Sequence, residues 1–465
     1  MTIALARTVT PPSAPAAALA LDRLRGRGWD LYLIVCVALT PIIVPEGPGQ
    51  TAIGDAFNLL ALVAFAGRLL LRPFPVTLPL LLPVLVIATG SMLAITNALS
   101  LAASAETLLV DLYLYSTFVV LVALLSRRGD LRSVRIAWLA TAVVVALGGI
   151  ASEVVTGAIS PAGLLALRGP RLSATFVNPN VFADYLVFSL FIGLGLERQL
   201  KRSLLLPSFG VLLLALISTK SNGGLVSLTL GGLAYLVARL WDSSWSRPML
   251  AGVAALAIAI ALAGGWALTE WGAGSSLFRG VAEHSFLGRM GHSSESRQRI
   301  WQHLRQDYAR SPLGIGPGNS AYQMLAIGER ERPDSFLSKE AHNDFLAYAI
   351  ERGPLGLVGL LLFTGMAFAC ALGARRRIRE RLGGGPGANA LWAAVVGSLV
   401  ATTVHSTVIE KMHFRHFWLF LAVLFALAAK SPLPDMTSAE PAVGLRPGAA
   451  HPPLAPAASP GGNLS

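Results

Sequence analysis

Long apolar stretches alternate with short polar connections along most of the chain. Apolar runs of about 17–25 residues, the length that crosses a bilayer as a helix, recur from Trp29 to Ala429. Charged residues and clusters of glycine and proline divide these runs into about twelve predicted membrane spans. The spans are 29–45, 52–71, 76–97, 105–126, 133–155, 180–197, 203–219, 223–240, 249–268, 353–373, 388–408 and 414–430. The pattern predicts an all-α polytopic membrane protein.

Two longer polar stretches interrupt this alternation. The larger, 269–352, separates the ninth predicted span from the tenth, and the smaller, 156–179, precedes the sixth. We expect residues 29–430 to form one transmembrane domain, with both stretches as extramembrane loops and the larger one helical. Residues 1–28 and 431–465 are rich in alanine and proline, so they are predicted to be disordered cytoplasmic tails.

Composition and charge agree with a membrane protein and give its orientation. Only 13% of the residues are charged and the mean hydropathy is +0.61, whereas soluble proteins carry roughly 25% charged residues. The net charge of +12 comes from lysine and arginine in alternate short loops, such as 127–135 and 375–381. Basic short loops mark the cytoplasmic side, which predicts that both polar stretches lie outside. Because these basic residues form no contiguous patch, nucleic-acid binding is excluded.

The first motif that can carry chemistry is RLSATFVNPN, which begins at Arg171 and precedes the sixth predicted span. Asn-Pro initiates turns, and Asn180 is a candidate helix N-cap. One interpretation is a capped turn whose Arg171 side chain reaches lipid phosphates. The other is an arginine that binds a phosphate beside a helix N-terminus, where free N–H groups also favour anions.

The second motif is the segment RQRIWQHLRQDY in the larger polar stretch. Its apolar residues share one helical face, which predicts an amphipathic helix outside the membrane. They are Ile300, Trp301, Leu304 and Tyr308. A helix of this kind lies on the membrane surface in one interpretation. In the other, Arg297 binds a diphosphate, because the planar guanidinium bonds two oxygens and stays charged.

A glycine-rich segment, GIGPGN from Gly314 to Asn319, follows this helix. Phosphate-binding glycine loops follow a strand or carry GxxxxGK[ST], and neither feature is present, so nucleotide binding is not predicted. We expect a tight turn that lets the backbone pass close to a neighbouring segment.

The third motif is HNDFLAYAIERG, which begins at His342 and leads into the tenth predicted span. His342 precedes a short amphipathic helix, and the positive end of a helix favours the neutral imidazole that a general base requires. The alternative is a histidine that only caps the helix. No metal site is predicted, because His342 has no second ligand at helical spacing. Weaker candidates are Asp111, Glu153, Asp184, Lys220, His405, Glu410, Lys411 and His413.

In this order, RLSATFVNPNVFADYL, RQRIW…SPLGIGPGN and HNDFLAYAIERGPLGL resemble the O-antigen ligase and polymerase superfamily. The resemblance implies a membrane glycosyltransferase of the GT-C fold in the bacterial inner membrane. Such an enzyme transfers a glycan from undecaprenyl diphosphate to an acceptor hydroxyl, with inversion, at the periplasmic face. It uses no metal and no cofactor. The expected partners are the lipid-linked donor, lipid A–core or another glycan acceptor, and membrane lipids.

The resemblance also implies roles for particular residues. Arg171 and Arg297 are expected to bind the diphosphate, with Arg299 as a competing candidate, and His342 is expected to act as the base. Expected supporting residues are Asn178, Asn180, Asn343 and Lys220. Two positions depart from the family pattern: Ala174 stands where glycine is common, and Ser221-Asn222 replaces a Ser-Arg pair. Lys220 is a candidate to replace the phosphate contact of that missing arginine.

Three functions remain open from the sequence. An O-antigen ligase, which joins the glycan to lipid A–core in lipopolysaccharide biosynthesis, is favoured. A polysaccharide or O-antigen polymerase of the same superfamily would instead use a second lipid-linked repeat as the acceptor. A transporter or flippase of lipid-linked sugars would make no glycosidic bond. Transporters commonly contain internal repeats, and no convincing repeat is found in this chain.

Overall fold

The described residues of the computed structural model form helices joined by turns, with no strand among them. They are 16–43, 51–71, 74–128, 130–165, 169–176, 178–241, 301, 304–306, 308–320 and 341–429. The helices are α1 (Ala16–Leu39), α2 (Ile53–Leu71), α3 (Leu81–Ala94) with a 3-10 turn (Ile95–Asn97), α4 (Leu101–Leu125), α5 (Arg132–Val155), α6 (Pro161–Leu165), α7 (Pro179–Leu194), α8 (Arg202–Ser218), α9 (Asn222–Leu240), α10 (Asp344–Arg381), α11 (Gly385–His405) and α12 (Arg415–Ala428).

Helix length and hydropathy confirm an all-helical protein of the multi-pass membrane class. Six described helices are long and apolar enough to cross a bilayer: α2, α4, α5, α9, α10 and α11. Shorter apolar helices lie at Gly28–Leu39, Leu81–Asn97, α7, α8 and α12. Each falls on a predicted span, but the predicted ninth span, 249–268, lies outside the described residues. The total of twelve spans and the sidedness of the loops therefore stay predictions.

Helix α1 begins inside the stretch that the sequence predicts to be disordered. The prediction set the start of the first span at residue 29, whereas α1 begins at Ala16. Alanine and leucine are strong helix formers, and they dominate the first turns of α1. The helix therefore extends toward the N-terminus beyond the apolar run that begins at Trp29.

The centre of the bundle is formed by α7 and α12, which are shielded from the surface on almost all sides. A helix that is apolar nearly all round is either enclosed by protein or faces lipid. The burial of α7 and α12 shows that their neighbours enclose them. The rings of Phe188 on α7 and Phe420 on α12 lie with their centroids 4.8 Å apart. This contact ties the helix that follows the Arg171 motif to the last helix of the bundle.

Small residues set the close approach of α9 and α11. A Cβ added at Gly231 of α9 would lie 2.6 Å from the Cβ of Ala401 and 2.6 Å from the carbonyl oxygen of Gly397, both on α11. Membrane helices commonly pack through small residues, because only these let the backbones approach. The α9–α11 pair brings the start of α9 next to the end of α11.

Helix α10 is kinked at Gly353, which separates a short first segment from the membrane span. Gly353 has φ 67° and ψ −167°, a conformation that favours glycine, and Pro354 follows it. Pro354 thus occupies a first-turn position of the second segment, where its missing N–H costs little. The predicted boundary at residue 353, between a short amphipathic helix and the tenth span, coincides with this kink.

Candidate functional site

The Arg171 side chain lies between the end of α8 and the start of α7. Its Nε donates a hydrogen bond to the carbonyl oxygen of Thr219 at 2.9 Å, and its Nη2 donates to Oδ1 of Asn180 at 2.6 Å. The next residue, Leu172, donates its backbone N–H to the carbonyl oxygen of Ser218 at 3.0 Å. The loop is thereby fixed along the end of α8, and the exposed Arg171 guanidinium is held beside the first turn of α7.

The N-cap of α7 is Asn178, and the prediction that named Asn180 was wrong. Asn178 has an extended backbone, and its Oδ1 accepts from the N–H of Asn180 at 2.8 Å. Pro179 occupies the first helical position, which proline favours, so the cap must precede it. The Asn180 side chain is therefore turned to Arg171 instead.

Lys220 lies in the tight connection between α8 and α9 and faces the same loop. Its backbone is left-handed, with φ 54°, and its side chain is buried. The ammonium Nζ donates to the carbonyl oxygen of Pro170 at 2.5 Å. Ser221 then caps α9 by accepting from the N–H of Gly224 at 3.2 Å. The structure thus brings Lys220 close to the loop that carries Arg171, while its predicted role as a phosphate contact stays a prediction.

His342 and Asn343 stand at the start of α10. His342 is half-buried and left-handed, with φ 51°, and its backbone N–H donates to Oε1 of Glu410 at 3.0 Å. Asn343 is the N-cap of α10 and accepts from the N–H of Leu346 at 3.1 Å. Asn343 is therefore the residue that caps the helix.

The helix of the RQRIW motif packs against the His342 segment. Nε1 of Trp301 donates to the carbonyl oxygen of Ala341 at 2.9 Å, immediately before His342. Leu304, Ile315, Ala347 and their neighbours form a small apolar cluster beneath this contact. The cluster includes Trp301, Leu304 and Tyr308, three of the four residues that the sequence places on one helical face. The fourth residue, Ile300, and both Arg297 and Arg299 lie outside the described residues, so the roles of these arginines stay predictions.

The glycine-rich segment forms close turns, as its composition predicts. Gly314, Gly316 and Gly318 all have positive φ, and a Cβ added at Gly316 would lie 2.6 Å from the Cβ of Ala98. The Glu351 carboxylate accepts from the N–H of Gly318 at 2.9 Å and from the hydroxyl of Ser320 at 2.7 Å. The segment is therefore held between the α3–α4 connection and the first part of α10.

A buried polar cluster lies below the His342 segment, and the sequence analysis did not predict that its residues meet. Nδ1 of His405 lies 2.6 Å from Oδ1 of Asp184, and Nε2 of His416 lies 2.9 Å from Oδ2 of the same carboxylate. Nζ of Lys411 lies 3.8 Å from Oδ1 of Asp184 and also donates to Thr402. Burial lowers the pKa of Lys411, and the carboxylates of Asp184 and Asp344 oppose that shift. Asp184, an aspartate within an apolar span, was the sequence feature that indicated a functional position here. No sequence feature indicated His416.

Asp344 connects this cluster to His342. Its N–H donates to the carbonyl oxygen of Ser406 at 2.9 Å, and its Oδ1 accepts from the N–H of Lys411 at 2.9 Å.

Among the described residues, the non-glycine positions with positive φ are Leu80, Ala174, Lys220 and His342. Backbone strain of this kind concentrates at functional sites. Three of these four positions lie in the segments that carry Arg171, Lys220 and His342.

The arrangement has the chemistry of an anion site on one segment and of a candidate base on another. A guanidinium and an ammonium converge on one loop next to the first turn of α7, where the positive end of the helix dipole also favours negative charge. The imidazole of His342 stands next to the N-cap at the start of α10. Transfer from a diphosphate donor needs two things from the protein. One is a positive site that stabilises the charged leaving group, and the other is a group that accepts the proton of the incoming hydroxyl.

Comparison with protein families gives a match to the O-antigen ligase family over residues 207–364. The matched range begins within α8 and ends within α10, so it includes Lys220, Arg297 and His342 but not Arg171. The match confirms the resemblance predicted from the ordered motifs. A comparison with curated protein sequences finds no significant match.

Proposed function

We propose that this chain, a membrane protein of the O-antigen ligase and polymerase superfamily, transfers a glycan from undecaprenyl diphosphate to an acceptor hydroxyl. The observation that carries the proposal is the meeting of Arg171 with Asn180 at the N-terminus of α7, with Lys220 of the α8–α9 connection bonded to the same loop. The enzyme would work in the bacterial inner membrane with its site toward the periplasm, as the distribution of basic loops predicts.

Arg171 would bind the diphosphate of the donor. The guanidinium is exposed beside the N-terminus of α7, so a phosphate oxygen at that point would meet both the arginine and the positive end of the helix dipole. Arg297 would supply a second guanidinium, with Arg299 as the competing candidate. As the glycosidic bond breaks, negative charge grows on the departing diphosphate, and fixed positive groups stabilise it most at that moment.

His342 would be the general base. It would remove the proton from the acceptor hydroxyl as that oxygen attacks the anomeric carbon, while the bond to the diphosphate breaks on the opposite face. The result is one new glycosidic bond with inverted configuration, a free undecaprenyl diphosphate and a protonated imidazole. The contacts with Trp301 and Glu410 hold the two ends of one peptide group, the one that joins Ala341 to His342, and so they restrain the backbone that carries the imidazole.

Ligase activity is the form of this reaction that we favour, with lipid A–core or a related glycan as acceptor. The test is reconstitution of purified protein in liposomes with a defined lipid-linked glycan and, separately, lipid A–core or a second lipid-linked repeat. Release of undecaprenyl diphosphate with a glycosylated lipid A–core identifies a ligase. Lengthened lipid-linked chains identify a polymerase. Movement of the donor across the bilayer without a new bond identifies a transporter and refutes the proposal.

Arg171→Lys tests the diphosphate site within the same assay. Lysine keeps the charge but loses the planar fork, so we expect slower transfer and a weaker contact with Asn180. Arg376→Lys is the matched control, because Arg376 is an exposed arginine whose ion pair among the described residues is with Glu380 on its own helix. Wild-type rates in both Arg171→Lys and Arg297→Lys would refute the proposed role of the two guanidinium groups.

A further inference from the structure

Asp184 is the meeting point of three elements that are distant in sequence. Its carboxylate, which is buried on α7, contacts His405 at the end of α11, His416 at the start of α12, and Lys411 in the loop between them. Both oxygens of the carboxylate are used. The 406–414 loop is therefore fixed at its two ends and in its middle to a single side chain.

The same loop holds the His342 segment on its other side. The carbonyl oxygen of Ser406 accepts from the N–H of Asp344, the N–H of Lys411 donates to the carboxylate of Asp344, and Glu410 accepts from the N–H of His342. Two backbone groups and one side-chain carboxylate of the loop thus contact two residues of the motif. Any displacement of the loop relative to α7 would move the backbone of His342.

In the opposite direction, Asp184 is joined to the proposed diphosphate site through a single helical turn. Asn180, which accepts from Arg171, lies four residues before Asp184 on α7, so both side chains lie on one face of the helix. A hydrogen-bonded helical turn is rigid. Asp184 is thus placed where the Arg171 half of the site and the His342 half are connected.

The surroundings of the cluster leave little room for movement. A Cβ added at Gly223 on α9 would lie 3.0 Å from Cδ2 of His405, so the backbone of α9 packs directly against that ring. The ring of His416 is packed edge-on against Tyr185 and Phe188, with centroids 5.7 Å away from each. Buried charge adds little net stability compared with apolar packing, but it can specify one arrangement.

We propose that Asp184 is a positioning residue that sets the placement of His342 relative to the diphosphate-binding loop. This inference rests on the proposed glycosyl transfer. Asp184 does not touch either substrate in this account. It acts through His405, Lys411 and His416 on the 406–414 loop, and the loop acts on His342.

The test is Asp184→Asn in the liposome transfer assay, with kcat and the donor KM measured separately. Asparagine has the same shape but carries no charge, and it presents an NH2 group where one oxygen stood. A misplacement of about 1 Å costs roughly 10²-fold in rate, so we expect kcat to fall roughly 10- to 100-fold. The donor KM should stay within about 3-fold, because Arg171 and its partners are untouched.

Ser189→Ala is the matched control on the same helix. Ser189 is also buried on α7 and accepts a hydrogen bond from Nε1 of Trp138 at 3.0 Å, but it has no described contact with the 406–414 loop. We expect this variant to retain the wild-type kcat.

If Asp184→Asn folds poorly, a second pair of variants tests the same contact from its other side. His416→Gln keeps an N–H donor toward Asp184, whereas His416→Leu removes it. We expect kcat to be retained in the first and lowered in the second.

Several outcomes would overturn the positioning role. One is an unchanged kcat in Asp184→Asn. A second is a parallel loss of kcat and donor affinity that Ser189→Ala reproduces, since that indicates general destabilisation. For the second pair, equal kcat in His416→Gln and His416→Leu contradicts the inference. Absence of any bond formation by the wild-type protein refutes the proposed function itself, and the inference fails with it.

Discussion

Replacement of Gly353 by alanine tests how the fold presents the His342 segment. Gly353 has φ 67° and ψ −167°, a region that is occupied almost only by glycine. A Cβ at this position would lie 2.7 Å from the carbonyl carbon of Leu313 and closer still to its oxygen. Both neighbours are backbone atoms, so no side-chain rotation relieves the overlap.

The expected cost has two parts. Holding a residue with a Cβ in this backbone region costs about 1–3 kcal/mol. Forcing an extra methyl group into a filled space costs typically about 1–3 kcal/mol more. We therefore expect Gly353→Ala to lower the free energy of unfolding by roughly 2–6 kcal/mol. It should also lower transfer activity, because the kink at Gly353 sets the direction of the segment that begins at Asp344.

Unfolding by SDS in mixed micelles, followed by tryptophan fluorescence, measures this loss. Gly365→Ala on the same helix is the control, because a Cβ at Gly365 meets nothing within 4 Å. Alanine is favoured over glycine inside a helix by roughly 0.5–1 kcal/mol, so the control should be neutral or slightly stabilised. Equal unfolding curves for the two variants would refute the account of the kink.

Three further predictions concern packing and strain. Gly231→Ala should lower the free energy of unfolding by about 1–3 kcal/mol. The neighbouring Gly232→Ala, which has open space around its Cβ, should leave that free energy unchanged. Similar SDS midpoints for the two variants would contradict this prediction. Glu351→Gln should increase proteolysis between residues 311 and 320. The hydrogen bonds from Gly318 and Ser320 lose their charged acceptor, and a hydrogen bond to a charged group contributes about 1.5–3 kcal/mol. Ala174→Gly should raise stability by roughly 1 kcal/mol or less, since relief of a left-handed backbone exceeds the entropy cost of glycine; a lower melting temperature would count against that strain.

Local patterns were sufficient to predict much of the fold. Apolar length located the spans that contain α2, α5 and α9, and the Gly-Pro pair at 353–354 located the kink in α10. Both features depend on the bilayer thickness and on backbone sterics, which act over a few residues. The same locality accounts for the error at Asn180, because two asparagines flank one proline and the position of that proline decides which of them caps the helix.

The tertiary part of the site could not be predicted in this way. Asp184 and His405 are separated by 221 residues, and nothing in the periodicity of either segment indicates that they meet. His416 stands in an apolar run, where an interior histidine gives no distinct pattern. The pairing of Arg171 with the end of α8 likewise depends on how α7 and α8 pack. Such contacts follow from helix packing, which the order of motifs does not specify.

Glycosidic bond formation by the His342→Ala protein, measured in single turnovers in liposomes with donor binding followed in parallel, tests the proposed chemistry most directly. Loss of a general base typically costs about 10²–10⁴ in rate. We expect a loss of that size, with binding of the lipid-linked donor retained because Arg171 and Lys220 lie on two other connections, before α7 and between α8 and α9. Undiminished single-turnover transfer by His342→Ala would contradict the account.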